Sequence, residues 1–352
     1  MHRRILIAPD SFKGSSPAFL VATAIAEGWR SVALDDELLL LPQADGGEGT
    51  CEAMAAAIPG SEWISAGQVT GPDGHPIEGR WLRTPDATAV VELAQMSGLP
   101  LMAGPDPLGA TTRGLGEVIA HAVDSGVTRL VIGLGGSAST DGAAGALRAL
   151  GLEVFDTDGF PLAEGGAALV NLARIDSSGL RNLPPITLLS DVTATLLEAP
   201  GVFGPQKGAL PPDVAVLEHA LEQWSRLLGG EPGTPGAGAA GGTGYGFLAA
   251  YGAHLESGSV AIAALTGFTA AAASANLIIT GEGRFDATSL EGKVVGHALS
   301  LGRPTIVIAG QVAEGFEGIS LTTLAGSAEA SMADPLRWLR KAGALAASRS
   351  LA

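Results

Sequence analysis

Cysteine is almost missing: the 352 residues include one, Cys51, which excludes an intrachain disulfide and any cysteine-built metal site. Cys51 follows a glycine-rich turn on a predicted helix, so a buried thiol is expected there. Histidine is sparse and scattered. The six (His2, His75, His121, His219, His254 and His297) show neither an H-x-E nor an H-E-x-x-H spacing, so zinc is not expected. Charged residues make up only 16%, the net charge is −16 and no basic cluster occurs. Nucleic acid and anionic membrane are poor partners for such a chain. The Ala-rich stretch 260–277 is broken by Thr266, Gly267, Thr269, Ser274 and Asn276, which predicts a buried helix pair and then a strand, not a membrane span. The short basic start leads directly into a strand with no signal-peptide core, so a cytoplasmic protein is expected. Gly292-Lys293 is followed by Val294, not Ser or Thr, so there is no Walker A sequence. Ser137 lacks the G-x-S-x-G elbow of a hydrolase nucleophile.

Lysine is the scarcity that points somewhere. There are four lysines (Lys13, Lys207, Lys293 and Lys341) in a total of 20 basic residues, the rest being arginine. Three of the four touch a glycine, in Lys13-Gly14, Lys207-Gly208 and Gly292-Lys293. A lysine acts on phosphate as a compact point charge, whereas arginine presents a planar fork. Glycine, by contrast, is abundant at 51 residues, about twice its usual share of ~7%.

Apolar residues make up 46% of the chain, enough for substantial cores, and the length favours two domains. The pattern opens as strand 4–8, loop 9–16 and helix 17–32, with Ser16 as the expected N-cap and Pro17 in the first turn. Strand 38–41 and a further helix follow, and two strand–loop–helix units predict a parallel sheet. Short strands 62–70, 78–83 and 88–93, separated by Gly-Pro-Asp-Gly and Thr-Pro-Asp turns, predict an antiparallel meander. Next come helix 114–125, strand 129–134, helix 141–150, helix 211–228 and a Gly/Pro/Ala-rich segment 229–246, read as a flexible segment or ligand loop. The first pattern then returns: strand 277–280, loop 281–289, helix 290–301, strands 305–309 and 321–325, and a closing helix 332–348. The expected architecture is α/β with two domains. Residues 1–65 and 275–352 would form a Rossmann-like parallel-sheet domain built from both chain ends, and 66–274 an inserted mixed α/β domain, with ligands in the cleft.

Four loops behind predicted strands combine glycine with charge. They contain Asp10-Ser11-Phe12-Lys13-Gly14, Asp45-Gly46-Gly47-Glu48-Gly49, Gly135-Gly136-Ser137 through Asp141, and Glu282-Gly283-Arg284-Phe285-Asp286. Loops at the carboxyl ends of parallel strands are the usual ligand position in open α/β sheets. Their glycines admit close approach of an anion to backbone N–H groups, while Asp and Glu can hold Mg²⁺ or accept a hydroxyl proton. A fifth loop, Gly204-Pro205-Gln206-Lys207-Gly208, follows Ser190-Asp191 at a strand end. A second reading stands beside this one. Gly133-Leu134-Gly135-Gly136-Ser137-Ala138 fits G-x-G-x-x-G/A, with Asp156 about 20 residues on, as in a dinucleotide-binding unit of an NAD-dependent oxidoreductase.

Eight stretches in order resemble the bacterial glycerate kinase family: IAPDSFKGS (7–15), ADGGEGT (44–50), VTGPDG (69–74), SGLP (97–100), GLGGSASTDG (133–142), VFGPQKGA (202–209), GAGAAGG (236–242) and ITGEGRFDATSLEGK (279–293). The sequence departs from that family's pattern at Arg113, Thr140–Ala143, Ser190 and the short segment after Asp191, which bears on substrate choice. The resemblance implies phosphoryl transfer from Mg·ATP to D-glycerate, with 2-phosphoglycerate favoured over 3-phosphoglycerate. Lys13, Lys207, Lys293 and Arg284 would then bind phosphates and the substrate carboxylate. Asp45 and Asp191 would activate the hydroxyl or hold Mg²⁺, with Asp10, Glu48 and Glu282 behind them. Gly46, Gly47, Gly135, Gly136 and Ser137 would cradle anions, and Ser11, Asp141, Gln206 and Asp286 complete the expected binding set. The remaining alternatives are the oxidoreductase of a small hydroxy acid and a glycerate-binding sensor without catalysis.

Overall fold

In a computed structural model the chain is described over residues 3–290 and 292–351. The strands in chain order are β1 (Arg4–Ile7), β2 (Glu37–Leu40), β3 (Glu62–Thr70), β4 (Pro76–Arg83), β5 (Thr88–Glu92), β6 (Arg129–Gly133), β7 (Glu153–Phe155), β8 (Arg174–Asp176), β9 (Ile186–Leu189), β10 (His254–Glu256), β11 (Leu277–Phe285), β12 (Thr305–Val312) and β13 (Ile319–Ser320). They divide between two compact units, one formed by the residues up to Pro59 together with those from Ser257 onward, the other by Gly60–Glu256. Both joints fall before the expected residues 66 and 275. Strand β3 pairs with β4 from Glu62 onward. Helices Gly258–Leu265 and Phe268–Ser274 belong with the outer segments, the second packing on β1 through Phe268 and Ala272.

The outer unit is a five-stranded sheet in the order β13-β12-β11-β1-β2, parallel throughout. Strand β1 is an inner strand between β11 and β2 and reads Arg-Ile-Leu-Ile, buried from Ile5 on, as expected of a parallel strand covered on both faces. The period of two sorts its side chains. Ile5 and Ile7 meet Val21, Ile25 and Trp29 of helix Ala18–Arg30 and Leu339 and Ala346 of helix Pro335–Leu351. Leu6 and Ala8 meet Phe268, Ala272 and Ala298 on the opposite face. The connection leaving β1 thus runs to one face, and that leaving β11 runs through helix Val294–Ser300 to the other. This makes the gap between β1 and β11 the topological switch point, where open α/β sheets place ligands.

The inserted unit has a mixed sheet, β10-β9-β6-β5-β4-β3. Its β3–β4–β5 stretch is the antiparallel meander read from the turns, and β5, β6, β9 and β10 run parallel. One continuous core, including Trp81, Leu115, Ile132, Leu147 and Trp224, fills it. Among the described residues no helix is long and apolar enough to cross a membrane.

Several local expectations are corrected. Residues 321–325 form a helix instead of a strand, because Ser320 Oγ caps it by accepting from the Thr323 N–H. Helix Ala18–Arg30 begins after Pro17, and no side chain caps it at Ser16. The segment 229–246 is no open loop: it enters helix Ala239–Tyr251, interrupted by left-handed residues at Ala240, Gly241 and Gly242. Helices 141–150 and 290–301 are shorter than expected, at Ala144–Ala149 and Val294–Ser300. The fourth loop is largely strand, since β11 continues to Phe285 and pairs with β12 up to Val312.

Candidate active site

At the switch point, β1 and β11 turn their carboxyl ends toward one cavity of about 330 Å³. Asp10, Ser11, Lys13, Asp45, Glu282, Arg284 and Lys293 all line it. Seven of the expected site residues are therefore brought together within the outer unit. The backbone sets their places. Asp10 N–H donates to Gly281 O at 2.8 Å, extending the β1–β11 ladder past the strand's end. The chain then turns back on itself at Gly14, with φ of 76°, and Phe12 N–H donates to Ser16 O.

Three carboxylates crowd this end of the sheet. Asp10 is buried, and burial, then the charge of Asp45, pushes its carboxyl well up, with Glu282 adding to the effect. Lys13 and the Ser11 N–H, which donates to Asp10 Oδ1 at 2.6 Å, pull the other way. Glu282 is also pushed up, chiefly by burial, against a hydrogen bond from Ser289 and the charge of Lys293. The Lys13 ammonium stands 3.6 Å from Asp45 Oδ2, and Asp45 leads the causes that raise its proton affinity, with Asp10 and Glu48 contributing. Asp45 Oδ1 in turn accepts from the Gly47 N–H at 3.1 Å. Arg284 and Lys293 bring two further cations. Arg284 pairs with Asp286 at 3.0 Å, and the Lys293 ammonium reaches Thr288 Oγ1 at 3.3 Å. Asp286 is thereby committed within its own turn, its carboxyl held low by Thr288 first and by Arg284.

Two atoms at this cavity lack what buried polar atoms normally have. Ser11 Oγ and Glu282 Oε1 are buried with no hydrogen-bond partner among the described residues. An unsatisfied hydroxyl and an unsatisfied carboxylate oxygen on one cavity wall suit a ligand that supplies the missing partners. Among the described residues no group of three or more His, Cys, Asp or Glu forms a metal cage. The set fits Mg²⁺ in its usual protein setting, one or two carboxylates with water and phosphate oxygens completing the shell.

The remaining expected residues lie in the inserted unit. Lys207 is 2% exposed, and its ammonium donates to Ser137 Oγ at 2.8 Å and to Ser139 O. Burial lowers its pKa to about 7, with Asp141 opposing. Asp141 is itself fully buried, and burial raises its carboxyl. Its Oδ2 accepts from the Thr112 N–H at 2.9 Å, the Thr112 hydroxyl at 2.8 Å and the Gly145 N–H at 3.1 Å, so it fastens the loop to helix Arg113–Asp124. Ser97 Oγ, Ser139 Oγ, Thr140 Oγ1 and Asp141 Oδ1 are buried without partners among the described residues. Gly135 is half-buried, while Gly136 and Gln206 are exposed. Asp191 is half-buried, two residues past β9. Asp45 and Asp191, both expected to hold Mg²⁺, thus belong to different units. Arg113 pairs with Glu117 and Glu164, each at 3.1 Å.

The dinucleotide reading of the third loop is overturned. A βαβ unit requires β7 beside β6 in one parallel sheet, but β7 forms an antiparallel hairpin with β8. Asp156, the expected ribose acid, closes a turn by accepting from the Asp158 and Phe160 N–H groups, both at 2.9 Å. Sequence reasoning missed Gln311, Thr322, Ser331, Met332 and Pro335, which also line the switch-point cavity. No motif marks them.

Residues 5–347 match the glycerate kinase family. A glycerate 2-kinase of Escherichia coli K12 is 40% identical over 332 residues, covering 88% of this chain and 86% of that protein. A glycerate kinase of Bacillus subtilis 168 is 42% identical over 328 residues, covering 88% and 85%. A crystal structure from Salmonella typhimurium LT2 that carries the name glycerate kinase 2 superposes with a TM-score of 0.81 at 38% identity, covering 100% of this chain and 99% of that one. With a match that begins in β1 and ends in the last helix, and relatives aligned over most of both lengths, this chain belongs to the glycerate kinase family of enzymes.

Proposed function

We propose that this enzyme transfers the terminal phosphoryl group of Mg·ATP to the 2-hydroxyl of D-glycerate, yielding 2-phosphoglycerate and ADP. The bond from the glycerate oxygen to phosphorus forms as the bond from phosphorus to the β,γ-bridging oxygen breaks. The electron pair leaves on ADP, and the hydroxyl proton passes to a carboxylate of the Asp10, Asp45 and Glu282 group. Catalysis of this kind is mostly positioning and charge neutralisation. The observation that carries the reading is three cations, Lys13, Arg284 and Lys293, set with three carboxylates around one cavity at the sheet's switch point. Cations alone would suit any anion. Carboxylates so crowded that Asp45 helps raise the proton affinity of Asp10 and Glu282 suit an anion that arrives with Mg²⁺, to which Asp45 and Glu282 offer oxygens. Lys207, Ser137 and the Gly135–Gly136 backbone form a second anion-binding centre in the inserted unit. The name glycerate 2-kinase borne by the Escherichia coli relative favours the 2-hydroxyl. A coupled assay for ADP release with D-glycerate tests the activity, and phosphorus NMR of the product tests the position. No ADP release would sink the proposal, and a 3-phosphoglycerate spectrum would correct its regiochemistry.

A further inference from the structure

The switch-point cavity is lined by two kinds of residue. Lys13, Arg284, Lys293 and the three carboxylates bring charge. Leu321, Ala328, Met332 and Pro335, with Phe12 of the first loop, bring apolar surface, interspersed with Gln311, Thr322 and Ser331. D-Glycerate has an oxygen on each of its three carbons and no apolar face to set against such a surface. The volume of about 330 Å³ also falls at the lower end of the range for cofactor-sized ligands, roughly 300–1,000 Å³.

Met332 is the informative residue. It is 60% exposed, on the short helix Ala328–Ala333, and it lines the cavity. A methionine thioether is a soft surface that packs well against aromatic rings. Gly283 of β11 and Gly310 of β12 line the cavity without side chains. A Cβ on Gly310 would lie 2.4 Å from Gly283 O, so a bulkier residue is barred there. Bare backbone, an exposed thioether and aliphatic side chains suit a planar heteroaromatic ring. The neighbouring cations suit a polyphosphate, and the crowded carboxylates suit its magnesium.

We infer that this cavity is the seat of the nucleotide, with the purine against Ala328, Met332 and Pro335 and the phosphates directed to Lys13, Arg284 and Lys293. The inference rests on the kinase reading. It assigns one of the two substrates to residues that no sequence motif marks, those from Ala328 to Pro335.

The test uses the full chain with Mg·ADP, titrated calorimetrically without acid, and steady-state kinetics with ATP and D-glycerate. Ala328→Trp fills space beside the apolar lining residues, and Met332→Glu places charge at an exposed position where folding is not at stake. Each variant is expected to weaken Mg·ADP binding and raise the KM for ATP by about tenfold or more, with the KM for D-glycerate changed less than about threefold. Met332→Glu with unchanged Mg·ADP affinity would overturn the assignment, as would variants that raise the KM for D-glycerate while sparing that for ATP. In either case ADP release by the unmodified enzyme would leave the kinase reading standing. Mg·ADP binding that is lost in both variants, in an enzyme that transfers nothing to D-glycerate, would support the seat and reject the acceptor.

Discussion

Asp10 and Lys207 are both buried, and burial moves their proton affinities in opposite directions. Asp10 holds its proton more tightly in the folded protein than in the unfolded one. Its contribution to stability is therefore complete below the ordinary carboxylate range and is lost as pH rises through its raised value. Asp10→Asn removes that penalty. The variant should melt higher than the parent at pH 8, show little or no such advantage near pH 3, and lose about 100-fold or more in kcat. Thermal melts at the two pH values with a single ADP-release assay check it. Lys207 gives up its proton near 7 instead of 10.5. Between those values the unfolded chain binds more protons, so stability rises with pH across that window, by roughly 5 kcal/mol in all from this one group. Lys207→Met should flatten the slope, as read by denaturant unfolding at pH 7 and pH 9.5. Equal slopes in parent and variant would show that Lys207 keeps its ordinary affinity. The scarcity of lysine flagged Lys13, Lys207 and Lys293 from the sequence, because a glycine beside each was visible there. The burial of Lys207 was not visible, since Ser137 and Ser139 lie about 70 residues away.

Among the elements, the contact between helices Ala18–Arg30 and Pro335–Leu351 is set by glycine. A Cβ on Gly343 would sit 2.2 Å from Ile25 O, and one on Gly28 would sit 1.9 Å from Arg340 O. Helix propensity alone predicts that Gly343→Ala stabilises by ~1 kcal/mol. The close approach predicts the reverse, since forcing packed backbones apart costs about 1–3 kcal/mol or more. A lowered Tm is expected, and a Tm at or above the parent's would show that the helices have room. Periodicity located both helices, because each carries a long apolar stripe. Short elements were harder. Leu321-Thr322-Thr323-Leu324-Ala325 has a composition that suits strand or helix, and the Ser320 cap decided it. Thr280 through Phe285 contains two glycines and three charged or polar residues, which is loop chemistry locally. It is strand because β12 lies beside it to complete its hydrogen bonds, a partner about 25 residues away that no local rule supplies. The cavity wall from Leu321 to Pro335 escaped notice for the same reason: its role comes from what it faces.

At the scale of the whole molecule, the inserted unit is continuous in sequence and has its own core around Trp81, Ile132 and Trp224. A fragment spanning Gly60–Glu256 should therefore fold alone and unfold cooperatively on heating. A broad, non-cooperative melt would show that it depends on the rest of the chain. The division of the chain into an interrupted parallel-sheet unit and an inserted mixed unit was legible from the return of strand–loop–helix spacing after residue 277. The order of the sheet was not, because parallel neighbours are joined by no short turn.

That order has a consequence for the newborn chain. Strand β1 emerges from the ribosome first, yet one of its two partners, β11, begins 273 positions later at Leu277. At ~5–20 residues per second, β1 waits on the order of tens of seconds with an apolar edge exposed, paired at most to β2. The inserted unit can be complete by then. The loop bearing Asp10 and Lys13 acquires its Gly281 anchor only when β11 arrives, so a truncated chain that lacks β11 would carry every early motif with the candidate site unassembled.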